Sequence, residues 1–143
     1  MKLNKQTDYA LRILIYAASV SDDRLLSIQE VTDIYNLSRN HMMKIVHRMG
    51  QLGYLMTLRG KGGGICLGKK PVDINIGQLV RDMENSLNVV DCEDHQCRLV
   101  SACELKKILT EAMSEFMAVL DRYTLADLVK NRAELIPLLG LGT

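Results

Sequence analysis

Cys92, Cys97 and Cys103 stand with four and then five residues between them, in a polar stretch of the chain. Three thiols so close in sequence cannot all pair with one another as disulfides. Close thiolates are what a soft metal or an iron–sulfur cluster requires. Zinc sites favour Cys-x2-Cys pairs, whose short knuckle aims both sulfurs at one ion. The wider, irregular spacing here suits a larger object whose iron atoms spread the ligands. A fourth ligand is then needed. Within the stretch the candidates are Asp91, Glu93, Asp94 and His95; outside it they are Cys66 or a residue of a second subunit. The competing reading is three structural cysteines, but the stretch is too polar to bury them. Cys66 alternates with Ile65 and Leu67 and reads as a small half-buried strand residue; His95 and His47 read most simply as surface residues.

A second set of residues carries a different chemistry. Over 38–52, Met42, Ile45, Val46, Met49 and Leu52 recur at helical spacing and form a face to bury. Asn40, Met43, Lys44, His47 and Gln51 form the opposite stripe, flanked by Arg39, His41 and Arg48, and the segment contains no acidic residue. Asn can read adenine and Arg guanine by paired hydrogen bonds, Met43 can touch a thymine methyl, and Lys44 suits a phosphate. Downstream, Arg59-Gly60-Lys61-Gly62-Gly63-Gly64 combines two cations with glycines that let the backbone approach a phosphate or a minor groove. This run lacks the Lys-Ser/Thr of a phosphate-binding P-loop and precedes a strand, so nucleotide binding is excluded.

The elements that must position these groups follow from caps and periodicity. Thr7 is expected to cap a first helix running to Val20, with Asp8 in its first turn. Ser27 and Glu30 form a capping box for a short helix ending near Tyr35, where Asn36 is a left-handed stop. Ser38 caps the third helix, closed by Gly53. The period then changes: Tyr54–Leu58 and Ile65–Leu67 read as the strands of a hairpin with the Gly-rich tip. A capped helix, a tight turn, a second capped helix and a hairpin make a winged helix-turn-helix, whose second helix lies in the major groove. Pro71 and Asp73 lead into a helix at about Ile76–Glu84. A long helix is expected from Ser101 to Tyr123, with Leu105, Ile108, Leu109, Ala112, Phe116, Val119, Leu120 and Tyr123 on one side. Thr124 opens a short last helix, and Pro137 with two glycines marks a loose tail. The fold class is mainly α (α+β). Residues 1–70 read as the winged helix-turn-helix, and 71–143 as the cysteine loop with long helices whose apolar stripe suits an isologous dimer.

Composition agrees with that division. The 143 residues are 48% hydrophobic and 24% charged, with five Tyr, one Phe and no Trp, which excludes disordered and collagen-like chains. The net charge of +1 hides an asymmetry. Residues 1–83 carry 12 Lys or Arg against 7 Asp or Glu, while 84–143 carry 6 against 10. The basic half suits a polyanion partner. Met1–Val20 imitates a secretory leader only loosely, because its apolar run is short and helically spaced. No stretch approaches the roughly 18 apolar residues of a membrane span. The expectation is a cytoplasmic protein whose cysteines are thiolates or ligands rather than disulfides.

Thr7-Asp8-Tyr9-Ala10-Leu11-Arg12, Ser38-Arg39-Asn40-His41-Met42-Met43-Lys44-Ile45, the Arg59–Gly64 tip and the three downstream cysteines together resemble one family. It is the family of iron–sulfur winged-helix transcriptional repressors of the NsrR/IscR type, and the resemblance runs to about Leu139. Asp121-Arg122-Tyr123-Thr124-Leu125-Ala126-Asp127-Leu128-Val129 and the cysteine spacing look most like its nitric-oxide-sensing branch. The resemblance implies a homodimeric bacterial repressor of a near-palindromic DNA operator, with nitric oxide as effector. It implies an iron–sulfur cluster held by Cys92, Cys97 and Cys103, with Asp8 of the second subunit as fourth ligand. A 4Fe-4S cluster is favoured and a 2Fe-2S cluster stays open. DNA contacts are expected from Ser38, Arg39, Asn40, His41, Met43, Lys44, His47, Arg59, Lys61 and Gly62. The chain departs from the IscR pattern at Lys106, which stands where those proteins carry a histidine three residues after the third cysteine. An ammonium cannot ligate iron, so that ligand set is not available. Read without the resemblance, Asp8 is a carboxylate favoured by a helix N-terminus.

Three rival readings explain less. A zinc-binding adaptor would use the cysteines and leave the third helix and hairpin without a role. A thiol redox enzyme lacks a Cys-x-x-Cys pair and an evident base, so no catalytic residue is expected. A repressor that senses oxidants through bare thiols, or one that reports iron status, shares the DNA prediction and differs in its signal.

Overall fold

Asn4 starts the fold. In this computed structural model, which describes residues 1–20, 24–93 and 96–141, the Asn4 side-chain oxygen accepts from the Thr7 backbone N–H at 2.8 Å and caps helix α1, Lys5–Ser19. Thr7 is therefore not the cap. It lies inside the first turn, buried, and its hydroxyl donates to the same Asn4 oxygen at 3.0 Å. Ser27 and Glu30 form the expected capping box for α2, Ile28–Tyr35, and Asn36 closes it in the left-handed conformation at φ 52°. Ser38 caps α3, Arg39–Gln51, by accepting from the His41 N–H at 3.1 Å.

The chain then turns back on α3. The Tyr54 N–H donates to the Met49 carbonyl at 2.9 Å before strand β1, Leu55–Leu58. Strand β2, Gly64–Leu67, pairs antiparallel with it in the register Leu55–Leu67 to Leu58–Gly64. Leu26, in the connection before α2, bridges Ile65 with two hydrogen bonds of 2.8 Å, so the hairpin is tied to both sides of the helix-turn-helix. At the hairpin base Gly68 donates to the Tyr54 carbonyl at 2.9 Å, and a Cβ on Gly68 would lie 2.4 Å from the Gly53 carbonyl oxygen. Only glycine permits that approach.

After a 3-10 turn at Pro71–Asp73 comes α4, Ile76–Met83, capped by Asn75. The long helix α5 spans Glu104–Leu120, shorter at both ends than the sequence suggests. At its start Ser101 and Ala102 are spent in a turn, and Cys103 is the cap, its sulfur accepting from the Lys106 N–H at 3.4 Å. At its end Asp121–Tyr123 leave the helix to meet α4. The Asp121 carbonyl accepts from Asn75 Nδ2 at 2.8 Å and the Tyr123 carbonyl from the Ile76 N–H at 3.0 Å. Helix α6, Leu125–Leu128, follows, and then α7, Arg132–Leu138.

Through Leu141 the C-terminal segment is not a loose tail; Gly142 and Thr143 lie outside the described residues. Pro137 falls within α7, and the Gly140 and Leu141 N–H groups close it on the carbonyls of Pro137 and Ile136, with Gly140 at φ 66°. That is a Schellman closure, which a glycine in the left-handed region permits. Leu139 is buried, and Leu135 and Leu141 lie against the same core. Arg132 Nε donates to the Ser19 carbonyl at 3.0 Å, capping the end of α1. One apolar core thus runs from Ala10, Ile13 and Leu14 through Met42, Ile45 and Met49 to Leu79, Met83, Leu125 and Leu139.

Candidate nucleic-acid interface and thiol loop

Helix α3 presents the stripe that its periodicity predicts. Met42, Ile45, Val46 and Met49 are buried, while Asn40, Met43, Lys44, His47 and Gln51 are exposed beside Ser38 and Arg39. His41 is half-buried, held edge-on by the Tyr9 ring at 5.4 Å between centroids. Arg39 is oriented by Gln29 of α2, to which its guanidinium donates at 2.9 Å. Two expectations fail at the edges of the helix. Leu52 is 37% exposed, because the chain has already turned at Gly53 (φ 84°). Arg48 does not flank the exposed stripe: its guanidinium turns inward, donating to Gln6 at 3.1 Å and to the Asp82 carbonyl at 2.8 Å.

The hairpin tip leaves Arg59, Gly60, Lys61 and Gly62 exposed. Gly60 and Gly62 take φ of 98° and 81° with open space around them, whereas a Cβ on Gly63 would lie 2.2 Å from the Leu58 carbonyl oxygen. The tip is a bare backbone between two cations.

The thiol loop, residues 85–103, leaves α4 and enters α5. Cys92, Cys97 and Cys103 are free thiols, each half-buried. The Cys97 N–H donates to the Cys92 carbonyl at 3.2 Å, so the first two are joined by one turn. Cys92 also lines a hollow of about 110 Å³ with Lys106, Leu109 and Met113 of α5. Asp91 Oδ1 accepts from the Glu93 N–H at 3.1 Å. Asp94 and His95 lie outside the described residues. Cys66 sits on β2, its thiol 3.9 Å from the Met56 carbonyl. Three free, half-buried thiols on one loop are a donor set that fits an iron–sulfur group. Among the described residues, no three His, Cys, Asp or Glu side chains are grouped to chelate a single ion.

Asp8 stands on α1, its carboxylate accepting from Arg12 at 2.8 and 3.4 Å. That hydrogen bond is the largest influence holding the Arg12 guanidinium above its ordinary pKa. The Arg12 carbonyl in turn accepts from the Tyr35 hydroxyl at 2.8 Å, and the Arg12 guanidinium lies 6.0 Å from the centre of the Tyr35 ring. Burial pushes the Tyr35 hydroxyl up to about 12. Asp8 is thus one helical turn and one hydrogen bond from the end of α2.

Sequence reasoning did not single out Arg81, Asp82 and Tyr54. Tyr54 donates to Asp82, Gln78 donates to the other Asp82 oxygen at 2.9 Å, and Arg81 forks onto Asp121 at 2.6 and 2.7 Å. Only the Gln78–Asp82 spacing hints at any of this, because the other partners are far apart in sequence.

A recognition helix, a wing and their shared core define a winged-helix regulator of transcription. Residues 3–131 match the Rrf2 family, described as iron-dependent transcriptional regulators. The chain belongs to the Rrf2 family and is a DNA-binding transcriptional regulator, not an enzyme. It is 48% identical to the HTH-type transcriptional regulator NsrR of Bacillus subtilis, over 99% of each chain. It is 44% identical to the NsrR of Bacillus licheniformis, over 98% of this chain and all of the other. Among solved structures it is similar to CymR, the global cysteine regulator of B. subtilis, with a TM-score of 0.69, 27% identity and coverage of 92% and 98% of the two chains. IscR of T. potens shares the fold at a TM-score of 0.74 and 22% identity, over 92% and 88%. No described helix is long and apolar enough to cross a membrane.

Proposed function

We propose that this chain is a cytoplasmic, homodimeric repressor whose hold on a near-palindromic operator is controlled by an iron–sulfur cluster that reacts with nitric oxide. The single observation that carries the reading is the pairing, in one small chain, of an acid-free exposed α3 face with a loop of three free thiols that starts directly after α4 and ends as the cap of α5. Residues 1–70 would read DNA and 71–143 would sense and dimerise.

Cys92, Cys97 and Cys103 would hold the cluster, with Asp8 of the second subunit as the fourth ligand. When bound, the cluster supplies iron that nitric oxide can ligate. The chain's own residues do the rest. The Asp8 carboxylate is the hard donor in a soft set, so it is the ligand most readily given up. Unligated, Asp8 accepts from Arg12, whose carbonyl accepts from Tyr35 at the end of α2, so ligation of a cluster by Asp8 would compete with that pair. On DNA, Arg39, Asn40 and Met43 would read base edges, while Ser38, His41, Lys44, His47, Arg59, Lys61 and the Gly62 backbone would fix the register on phosphates.

The α5 face supports the dimer. Leu105, Ile108, Phe116 and Val119 recur at helical spacing and are 42–59% exposed. An apolar stripe of that length on a single chain marks an association surface. Two copies joined there could set their recognition helices about one helical turn, roughly 34 Å, apart.

The test is iron, sulfide and zinc content with a visible spectrum, on protein purified without oxygen, before and after nitric oxide, alongside duplex binding over a range of salt. A coloured protein with matched iron and sulfide is expected. Stoichiometric nitric oxide should change its spectrum and release the duplex. Replacing any of the three cysteines with serine should remove the colour. A colourless protein after careful reconstitution would sink the cluster and leave a regulator with another signal.

A further inference from the structure

The sensing reading leaves open how the thiol-loop half of a subunit reaches the recognition helix within the same chain. Helix α5, which emerges from that loop, has one substantial packing partner among the described elements, and that partner is α4. Helix α4 is itself held at both ends. Its start is stitched to the start of α6, directly after α5, by an antiparallel bridge between Asn75 and Thr124, with the Leu125 N–H donating to the Ile74 carbonyl at 2.8 Å. Its last turn faces the DNA-reading module. There the Arg48 guanidinium of α3 donates to the Asp82 carbonyl at 2.8 Å, and Tyr54, which leads into β1, donates to the Asp82 carboxylate. Asn4, the cap of α1, donates from Nδ2 to the Met83 carbonyl at 3.2 Å and from its backbone N–H to Glu84 Oε1 at 2.8 Å. On the opposite side of the same turn, Arg81 forks onto Asp121 just past the end of α5.

Four consecutive residues therefore touch α1, α3, the start of the wing and the end of α5. We propose that the last turn of α4, Arg81–Glu84, is the junction through which α5 sets the pose of the recognition helix. Arg81 and Asp82 are its positioning residues: Arg81 takes the position of α5, and Asp82 passes it to Arg48 and Tyr54. This rests on the sensing reading for the signal it carries, but the mechanical link is a property of the bare chain. The fork geometry supports it. Two parallel N–H···O bonds fix the relative rotation of the partners as well as their distance. Gly77 supports it too, because a Cβ there would lie 1.8 Å from Asp121 Oδ1. The absence of a side chain at Gly77 is what lets Asp121 reach Arg81.

The experiment is hydrogen exchange on the full chain, comparing the parent with Arg81→Ala, Asp121→Ala and Gly77→Ala. The first two remove one charge of an exposed pair and should leave the chain folded. Gly77→Ala keeps both charges and raises helix propensity, so any loosening it causes comes from the displaced Asp121. The expected result is that amides over 45–52 and 54–58 exchange at least about fivefold faster in all three variants, with the α1 core unchanged. Faster exchange confined to 76–84 and 117–125 would make the fork a local strap and overturn the proposal. The same measurement on cluster-loaded and stripped parent protein separates the two readings. If α3 in the parent is indifferent to the cluster, the sensing reading falls, while the junction still stands or falls on the variants.

Discussion

Helices α3 and α5 are both amphipathic, and both leave a side of distinct chemistry open to solvent, α5 being open over most of its circumference with only Met117 buried. Over α3 the open side holds Asn40, Lys44, His47 and Gln51 beside Arg39, without one carboxylate in the helix. Over α5 it holds Leu105, Ile108, Phe116 and Val119. The first face is well solvated alone and gains by meeting fixed negative charge, where counterion release drives binding. The second costs free energy while it faces water and gains by meeting another apolar face. The contrast suits two partner classes on one small chain: a polyanion for α3 and, for α5, the second copy proposed above. The charge asymmetry along the sequence agrees with it, since the basic half carries α3 and the wing.

The largest expected effect tests the α5 side of this contrast. Ile108→Glu combined with Phe116→Glu should convert the proposed dimer to monomers. Each buried apolar side chain contributes about 1.5–3 kcal/mol, and an isologous interface counts every one twice. Sedimentation velocity reads the outcome, and an unchanged oligomer would move the interface elsewhere. Next comes the α3 side. Arg39→Ala or Asn40→Ala should cost about 1–3 kcal/mol of duplex affinity and relax sequence preference, while Lys44→Ala should weaken all sequences evenly and reduce the salt slope by about 1. Equal effects from all three would mean that α3 does not read bases.

A smaller effect sharpens the start of α5, where Cys103 is both cap and proposed ligand. Cys103→Ser supplies a hydroxyl for the cap, whereas Cys103→Ala removes the acceptor at about 0.5–2 kcal/mol. Both should lose the iron, and only the alanine variant should also melt earlier. If both keep their iron, Cys103 is a cap and nothing more. The smallest effect lies at α2. Burial pushes Glu30 upward, but the Ser27 N–H, Arg24 at 2.5 Å and the Tyr16 hydroxyl at 3.0 Å together hold its carboxyl below the usual range. That stabilisation is complete above the ordinary carboxylate pKa and is lost as pH falls through the lower folded value. Glu30→Gln should therefore flatten the fall of melting temperature between about pH 6 and 3, and an unchanged acid limb would remove Glu30 from the account.

What the sequence disclosed and what it concealed differ by the reach of the interaction. The Ser27–Glu30 box, the Asn36 stop and the Ser38 cap are settled within four residues, and each is where the sequence places it. The cap of α1 is not such a case. Asn4 takes it from Thr7 because Asn4 is also fixed by Met83 and Glu84, about eighty residues away. Arg48 reads as a flank of the exposed stripe, and only the folded position of Asp82 draws it inward. Pro137 and two glycines suggest a loose tail, but Leu135, Leu139 and Leu141 find the α1 core, and Gly140 takes the left-handed turn that closes α7. The thiols announce themselves by type and spacing, whereas the α4 junction does so by neither, since its partners come from four separate elements.

The base of the wing carries a consequence for how operators diverge. Gly68 against Gly53, Tyr54 against Met49 and Leu26 against Ile65 are contacts between backbones. The angle between the recognition helix and the wing is therefore fixed by backbone atoms, which substitutions at Leu26, Met49 or Ile65 leave in place and which a side chain at Gly68 would push apart. Outward residues of α3 can then be exchanged without re-aiming the wing, and a regulator of this build can acquire a new operator by a handful of surface changes while its grip on the sugar-phosphate rails stays as it was.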